Sequence, residues 1–566
     1  MHLPDTTPRQ SVFYDYKIYP YERAPELDGR GQQHKVVIVG AGPIGLATAL
    51  DLARFGISSL ILESERQVSH GSRAIVFTRR SMEILQMIEC HQPFVEKGLS
   101  WNLGRSYYRG KEVFQMVMPG SDDDRFAPGL NIQQQYIEQY LVEAVENNPL
   151  TTLHWGSKVT GIAQKKGTVS LKVDTEDDEY LLGADWVIAA DGGRSTIRKL
   201  MGLRMEGQAY TGNFVIADIK ADFDLPTERL CHFDPEWNPG NNVLVHREPD
   251  GIWRLDFRLP EDETPEKALD PAVLHSRINA ILKMIGQEVS WELDWATVYS
   301  ASTKTLPDYV HNRVLFVGDA AHLLPIFGVR GANTGLQDSN NLAWKLAFVL
   351  KGWAPAKLLE TYSAERVQAA REICEEGGKS TRFMTPPSRG FGLLRDAVLS
   401  LALSGSFIKD LLHWRTSRPH DYHHSALNSF ADDDQTFSAG PACGEVLKNL
   451  KLGEDDFLFD RLGDSFNLIV FGRDQALSVD VQESLKVAGS FEFPVRRILI
   501  ADRQSAGLQD LADVVIEDHY ARMASQYGAV AGSAYLVRPD QHVCARWQGV
   551  NATKLEKALT AATQIV

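Results

Sequence analysis

The chain has 566 residues, room for three or four domains at roughly 100–200 residues each. Hydrophobic residues make up 43% and charged residues 23%, which excludes a disordered, collagen-like or coiled-coil chain. The net charge is −15 from 74 acidic and 59 basic residues, and no basic stripe interrupts it, so no nucleic-acid partner is expected.

Residues 1–34 are polar and rich in Tyr and Pro, and read as an irregular extension lying on the body of the protein. They carry no basic-then-apolar leader pattern, and no run of about 18 apolar residues predicts a membrane span. Cys90, Cys231, Cys374, Cys443 and Cys544 stand far apart without a CxxC pair. Neither a metal site nor a dithiol centre is signalled, and a reducing, cytoplasmic location is expected, with no membrane partner.

Lys35–Val39 is short and β-branched, the pattern of a buried parallel strand. A glycine-rich turn and an apolar helical run to about Phe55 follow, and a second strand, Ser59–Leu62, ends at Glu63. This is a βαβ unit. Helices are predicted over 80–90 and 134–147, and strands near 152–160, 168–174 and 186–190. A different texture begins near Gly207, where Asn213–Lys220, Asn242–Arg247 and Ile252–Leu259 predict an antiparallel sheet. In the last of these, Trp253, Leu255, Phe257 and Leu259 alternate with Arg254, Asp256 and Arg258, the period of a half-exposed sheet. A parallel-type strand returns at Arg313–Val317, followed by a glycine-rich loop, a helix to about Leu350 and further helices to about 415. Arg418–Gln435 reads as a polar linker. Beyond it, strands at Asn467–Val470, Arg497–Ile500, Ser533–Val537 and Val543–Trp547 precede a closing helix, with a turn at Arg538–Pro539–Asp540.

Two constellations carry chemistry. Gly40-Ala41-Gly42-Pro43-Ile44-Gly45 is a GxGxxG turn between strand and helix. Its glycines allow a tight turn, close approach of a pyrophosphate and helix–sheet contact, while the helix N-terminus offers free N–H groups to phosphate. Glu63, 18 residues past Gly45, can accept ribose hydroxyls. In the second, a strand ends in Gly318-Asp319, and Gly328, Gly331 and Gly335 open a helix. An aspartate there can bind a sugar hydroxyl, and N–H groups at a helix start suit an electron-rich ring edge.

With these motifs the sequence resembles the single-component flavoprotein aromatic hydroxylases, the class A FAD monooxygenases of the para-hydroxybenzoate and phenol hydroxylase group. Three motifs stand in family order: GAGPIG at 40–45, DGGRSTIRK at 191–199 and GDAAHLLPIFGVRGANTG at 318–335. The resemblance spans roughly residues 35–375. It implies FAD as cofactor, with Gly40, Gly42 and Gly45 at the pyrophosphate and Glu63 at the adenosine ribose. Arg73 would lie near the pyrophosphate, Gln134 near the flavin chain, and Asp191 would serve both FAD and nicotinamide handling. Asp319 would bind the ribose or ribityl region, while Pro325 and the backbone of Gly331, Ala332 and Asn333 would face the isoalloxazine. The chain departs from the pattern at Ile326, Val329 and Arg330, where the family has a second proline and glycine and where a cation is added.

Only one dinucleotide fingerprint is present, which agrees with NAD(P)H as a transient co-substrate. The halogenase-type WxWxIP signature is absent. The implied reaction uses NAD(P)H and O2 to hydroxylate a small phenolic or related aromatic substrate through a flavin C4a-hydroperoxide. A phenol reacts better as phenolate, so a base near its hydroxyl is expected, with His70 and His246 as candidates. Arg254 or Arg258 could pair with a substrate carboxylate. Of these, His70, His246 and Arg258 are the catalytic candidates. His322 reads as a loop organiser, and Tyr210, Phe233, Trp237 and Trp253 as pocket or core. A flavin dehydrogenase or oxidase without oxygen insertion, and a flavin-binding interaction protein, remain as alternatives.

The expected fold is α/β: a Rossmann-like FAD-binding domain, an interleaved antiparallel substrate sheet and a C-terminal thioredoxin-like domain. The segments are an extension over 1–34, the FAD-binding domain over 35–206 and 300–400, the substrate sheet over 207–299, a helical segment and linker over 401–438, and a thioredoxin-like domain lacking CxxC over 439–566. The resemblance implies a structural or homodimer-contact role for the last.

Overall fold

The computed structural model describes residues 1–29, 33–325, 327–405, 418–431, 434–472, 477–501, 510–518 and 521–565. The chain forms two compact units, one of residues 1–120, 126–339 and 367–418, the other of 121–125, 340–366 and 419–566. Among the described residues no helix is long and apolar enough to cross a membrane.

In the first unit, the strand Gln33–Val39 is apolar because both its faces are covered: Val36, Val37 and Ile38 are buried. It lies between Glu179–Ala189 and Ser59–Leu62, parallel to both, in an eight-stranded sheet. Thr151–His154 and Val314–Phe316 extend the parallel set on either side. The helix Pro43–Arg54 makes the crossover, and Pro43 stands in its first turn, where a missing N–H costs nothing. This is the Rossmann-like arrangement. The extension lies on this unit, with Tyr14, Tyr16 and Tyr19 buried and Tyr19 stacked on Trp155 at 4.3 Å.

The second sheet of this unit, also eight-stranded, is mostly antiparallel. Its centre is Glu206–Ala221, flanked by Trp291–Thr305 and Ile252–Arg258, and then by Asn242–Arg247 and Arg229–Phe233. His322–Leu323 pairs with Trp291–Thr305 at one edge, and Leu103–Tyr108 and Lys111–Val117 complete the other, so the chain visits this sheet well before Gly207. Those two strands alternate weakly, and their pairing is visible only in the tertiary structure.

The apolar phase of Ile252–Arg258 forms a core, in which Trp253, Leu255 and Phe257 meet Val215, Val243 and Val245 and the helix Pro271–Met284. The polar phase corrects the sequence reading. It is not exposed: Arg254, Asp256 and Arg258 keep only 2%, 8% and 6% of their surface. Two loops cover that face. Arg254 donates to the Ser72 carbonyl, and Phe214 meets Phe327 edge-on at 5.4 Å.

In the second unit, parallel strands Val514–Glu517, Val495–Ala501 and Phe466–Phe471 are followed across the sheet by Ala534–Val537 and Val543–Trp547, which run antiparallel. The helix Val479–Ala488 links the first two strands in sequence, and Ala552–Thr563 closes the chain. This is the thioredoxin-like order. The segment expected to be a linker is irregular but packed: Tyr422 and Leu427 are buried, because their side chains are apolar and Ser425 is tied to Glu365. The helical continuation expected up to about 415 falls partly on 406–417, outside the described residues; Arg389–Ala402 is helical.

The Arg538–Pro539–Asp540 turn is buried rather than solvated. Arg538 binds Glu365 at 2.7 and 3.0 Å and Asp540 through Nε at 3.0 Å, and Lys345 meets Glu365 at 2.7 Å. Burial alone would raise both carboxyls, but Arg538, with Lys345 beside Glu365 and His542 beside Asp540, outweighs it and holds both well below the usual carboxylate range. Removing the arginine strands two buried carboxylates. Arg538→Ala should therefore cost about 3–5 kcal/mol, seen as a lower guanidinium midpoint at neutral pH. Because the folded pKa values are lowered, the stabilisation is present above the ordinary carboxylate range and lost as pH falls, so the difference between variant and wild type should shrink in acid.

Candidate active site

The two glycine-rich stretches meet at one side chain. A Cβ on Gly318 or Gly335 would lie 3.1 or 2.7 Å from the side chain of Ile44, which sits in the GxGxxG turn. Gly45 is as tightly placed, since a Cβ there would stand 2.1 Å from the Gly40 carbonyl oxygen. Gly42 is different. It caps the helix Pro43–Arg54, and a Cβ added to it meets nothing within 4 Å. The open space therefore lies over the helix N-terminus, where first-turn N–H groups lack intrahelical partners. Glu63 borders it, with one carboxylate oxygen accepting from the Ala41 N–H at 2.7 Å and the other from Glu65 N–H at 2.9 Å.

Arg73 is exposed on the 69–74 loop. Gln134, first residue of the helix Gln134–Asn147, accepts from its backbone N–H at 3.1 Å and donates to Glu138 at 2.7 Å. Gln134 thus fixes the loop that carries Arg73. Asp191 accepts from Ile197 N–H at 3.0 Å through one oxygen, while the other is buried without a hydrogen-bond partner. Burial raises its pKa above the usual carboxylate value, against hydrogen bonds from Ser195 and Ile197. Asp319 is open at its surface yet ringed by protein, and that enclosure raises its carboxyl above the usual range, against His322 and Arg73. A Cβ on Gly193 would lie 3.9 Å from Asp319 Oδ2, so the second and third motifs also converge.

The helix Gly331–Leu350 begins at the third motif. Asn333 is a bracket: its carbonyl oxygen accepts from Thr78 N–H at 2.9 Å and Ser81 Oγ at 2.6 Å, and its amide donates to the carbonyls of Val76 at 2.8 Å and Val329 at 2.7 Å. Its side chain is committed to structure, which leaves the backbone N–H groups of Gly331, Ala332 and Asn333 as the helix's outward donors. Pro325 is buried where a Cβ on Gly377 would touch it at 2.4 Å. His322 binds Asp338 at 2.7 Å, and the same Asp338 oxygen accepts from Gly318 N–H at 3.0 Å, the geometry of a loop organiser. Val329 has φ 54°, a strained value for a β-branched residue at a position where the resembled family has glycine. Arg330 is buried with Nε donating to Phe327. Ile326 lies outside the described residues.

Between the Ser72 and Phe327 contacts runs the buried polar face of the second sheet. Pairing puts Phe214, Ile216 and Asp218 opposite Arg258, Asp256 and Arg254, and puts Leu244 and His246 opposite Asp256 and Arg254 on the other side. Arg254 is taken: Asp218 binds it at 2.8 and 2.7 Å, which removes it as a substrate anchor. Arg258 is buried with Nε lacking a hydrogen-bond partner. His246 is buried with Nδ1 unpartnered and Nε2 4.0 Å from Asp256; burial, Arg229 and Arg254 hold its pKa well below the usual histidine value. His70 is not brought to this face. It is exposed on the 69–74 loop, 6.0 Å from the Tyr16 ring, and faces the N-terminal extension. Sequence reasoning missed Asp256, Arg229 and Tyr299, which sit with His246. The signal for Asp256 was present, in a strand whose polar phase is charged three times, but a charged phase ordinarily means solvent. Phe233 and Trp253 are core, Trp237 packs on Phe257, and the Tyr210 side chain lies outside the described residues.

Residues 33–376 match the family model described as FAD binding domain. The chain belongs to that family. It is 28% identical over 539 residues to the 3-(3-hydroxy-phenyl)propionate/3-hydroxycinnamic acid hydroxylase of Burkholderia cenocepacia, covering 93% of this chain and 96% of the relative. The enzyme of the same name from Escherichia coli K12 is 25% identical, covering 90% and 91%. Among solved structures, the flavin-dependent monooxygenase PieE with FAD and substrate aligns with a TM-score of 0.79 at 21% identity, over 94% of this chain and 99% of PieE. Aklavinone-11 hydroxylase with FAD and aklavinone aligns at 0.74 and 23%, over 94% and 100%.

The residues present fit FAD. The space over Gly42 is open enough to take a pyrophosphate, Glu63 borders that space, and the unpartnered Asp191 oxygen could accept a hydroxyl. In this FAD-binding protein, Gly42→Val should fill that space without strain, because φ at Gly42 is −70°. The purified variant should keep its melting temperature and far-UV spectrum yet retain no flavin. Stoichiometric yellow flavin in the variant would contradict this placement.

Proposed function

We propose that this protein is an FAD-dependent aromatic hydroxylase that takes electrons from NAD(P)H and oxygen from O2 to hydroxylate a phenolic substrate. One observation carries the reading: a charged sheet face lies buried beneath two loops, the one that carries Arg73 and the one that belongs to the third motif. Burying charge is costly, and such a face is kept where it holds a polar ligand away from water. Bound FAD supplies the redox chemistry and the activation of oxygen. The chain's own part is to hold the flavin through Gly42, Glu63, Asp191 and Asp319, and to present N–H groups of Gly331, Ala332 and Asn333 to its ring. It also keeps the ring-side space dry with Phe214, Phe327 and Tyr299, whose rings contact one another. The absence of a second glycine fingerprint favours NAD(P)H as a transient visitor.

Arg258 suits a substrate carboxylate. Its Nε is a buried donor without a partner. The names of the curated relatives, which include phenolic acids, support the same class.

The decisive measurement is mass spectrometry of products formed under 18O2 with NADH or NADPH, across phenol and hydroxyphenyl carboxylic acids. One labelled oxygen per product is expected; turnover with unlabelled product means a dehydrogenase or oxidase. For Arg258→Met, losing a charge-assisted hydrogen bond of about 1.5–3 kcal/mol should raise KM for carboxylated phenols about 10–100-fold and leave KM for phenol within a few-fold. Equal effects on both substrates would remove the anchor.

A further inference from the structure

Asp256 stands out on the buried face. Its carboxylate has no hydrogen bond among the described residues, although its neighbours are charged or polar. It keeps 8% of its surface, whereas Leu255 and Phe257 beside it, on the core side, keep none. Those oxygens therefore face interior space rather than the core. That space is bounded at one end by Arg254 and the Ser72 carbonyl, and at the other by Phe214 and Phe327. Asp256 lies between the two ends, on the same side of the sheet as both loops.

We propose, resting on the hydroxylase reading above, that Asp256 is the catalytic proton acceptor for the substrate hydroxyl. The hydroxyl O–H bond breaks and an O–H bond to the Asp256 carboxylate forms as the ring carbon bonds one oxygen of the O2 that NAD(P)H has reduced by two electrons; the O–O bond breaks, and the other oxygen leaves at the oxidation level of water. The new sp3 ring carbon then loses its hydrogen to water, and Asp256 returns the proton to the same substrate oxygen. No electrons pass through Asp256. It begins and ends ionised.

The surroundings suit this exchange. Facing Asp256 are Arg254 on its own strand, His246 and Arg229 on the strands to one side, Asp218 and Tyr299 on those to the other, and Glu248 beyond. Burial raises its carboxyl and Arg254 opposes the rise, leaving it at about 7, where a base is both ionised and strong enough to draw a proton. His246, 4.0 Å away, is held well below its usual pKa by burial, Arg229 and Arg254, so it does not compete for the proton.

The test compares phenol with anisole, which cannot donate a hydrogen bond, on the FAD-loaded protein without NAD(P)H, reading affinity from flavin absorbance. Phenol should bind about five- to tenfold tighter at pH 8.5 than at pH 5.5, because only ionised Asp256 offers a charge-assisted acceptor, and anisole should show no such change. In Asp256→Asn, phenol affinity should become independent of pH, and hydroxylated product should form about 10²–10⁴-fold more slowly. Wild-type kcat/KM should rise through about pH 7, and the variant should lack that limb. Equal pH behaviour of phenol and anisole in the wild type, or undiminished product from Asp256→Asn, overturns the assignment. If the variant does not fold, the wild-type comparison decides alone. A wild type that favours ionised-state phenol but takes no label from 18O2 keeps Asp256 as the hydroxyl's partner and sinks the hydroxylase reading instead.

Discussion

Ile44 is the joint on which the FAD site depends. Its side chain fills the space above Gly318 and Gly335, so two turns separated by more than two hundred residues of chain are held in van der Waals contact. Neither glycine can gain a methyl group without displacing it. The contact sets the helix start at Pro43 beside the strand end at Phe316, and Asp319 inherits its position from that. Asn333 extends the same logic, tying the third motif to the strand Val76–Thr78 through the Thr78 N–H and the Val76 carbonyl, and to Ser81 beyond it.

The second sheet shows how a common architecture is turned to chemistry. One face is an ordinary apolar core closed by the helix Pro271–Met284. The other carries arginines, acids and histidine beneath two loops, and nearly every charge there has a partner within the sheet. Arg254 and Asp218 form the fixed part of this face, a bidentate pair that also supports the Ser72 loop. Arg258, His246 and Glu248 keep buried polar atoms without a hydrogen-bond partner, and Asp256 has, among the described residues, only His246 Nε2 near it, at 4.0 Å.

Much of the site was readable because its elements are local. The strand, turn, helix and acidic end at 35–63 follow from short-range rules, and the glycine spacing at 318–335 is specific enough to carry a family resemblance. The C-terminal strands were placed nearly to the residue for the same reason: Val543–Trp547 is buried on both faces and reads as a plain apolar run. The sequence reading failed where a local pattern has two tertiary meanings. Arg254, Asp256 and Arg258 alternate as a solvated face would, yet they are buried, because partners on neighbouring strands and loops neutralise them.

By itself the sequence determined the order of the elements, the glycine cradle and the acidic residues that border it, since each depends on neighbours within about twenty positions. Tertiary structure alone decided which face of the second sheet is covered, which arginine is free to meet a ligand and which histidine is left outside. Those outcomes rest on pairing between strands and loops far apart in the chain, where register, not composition, determines what a side chain meets.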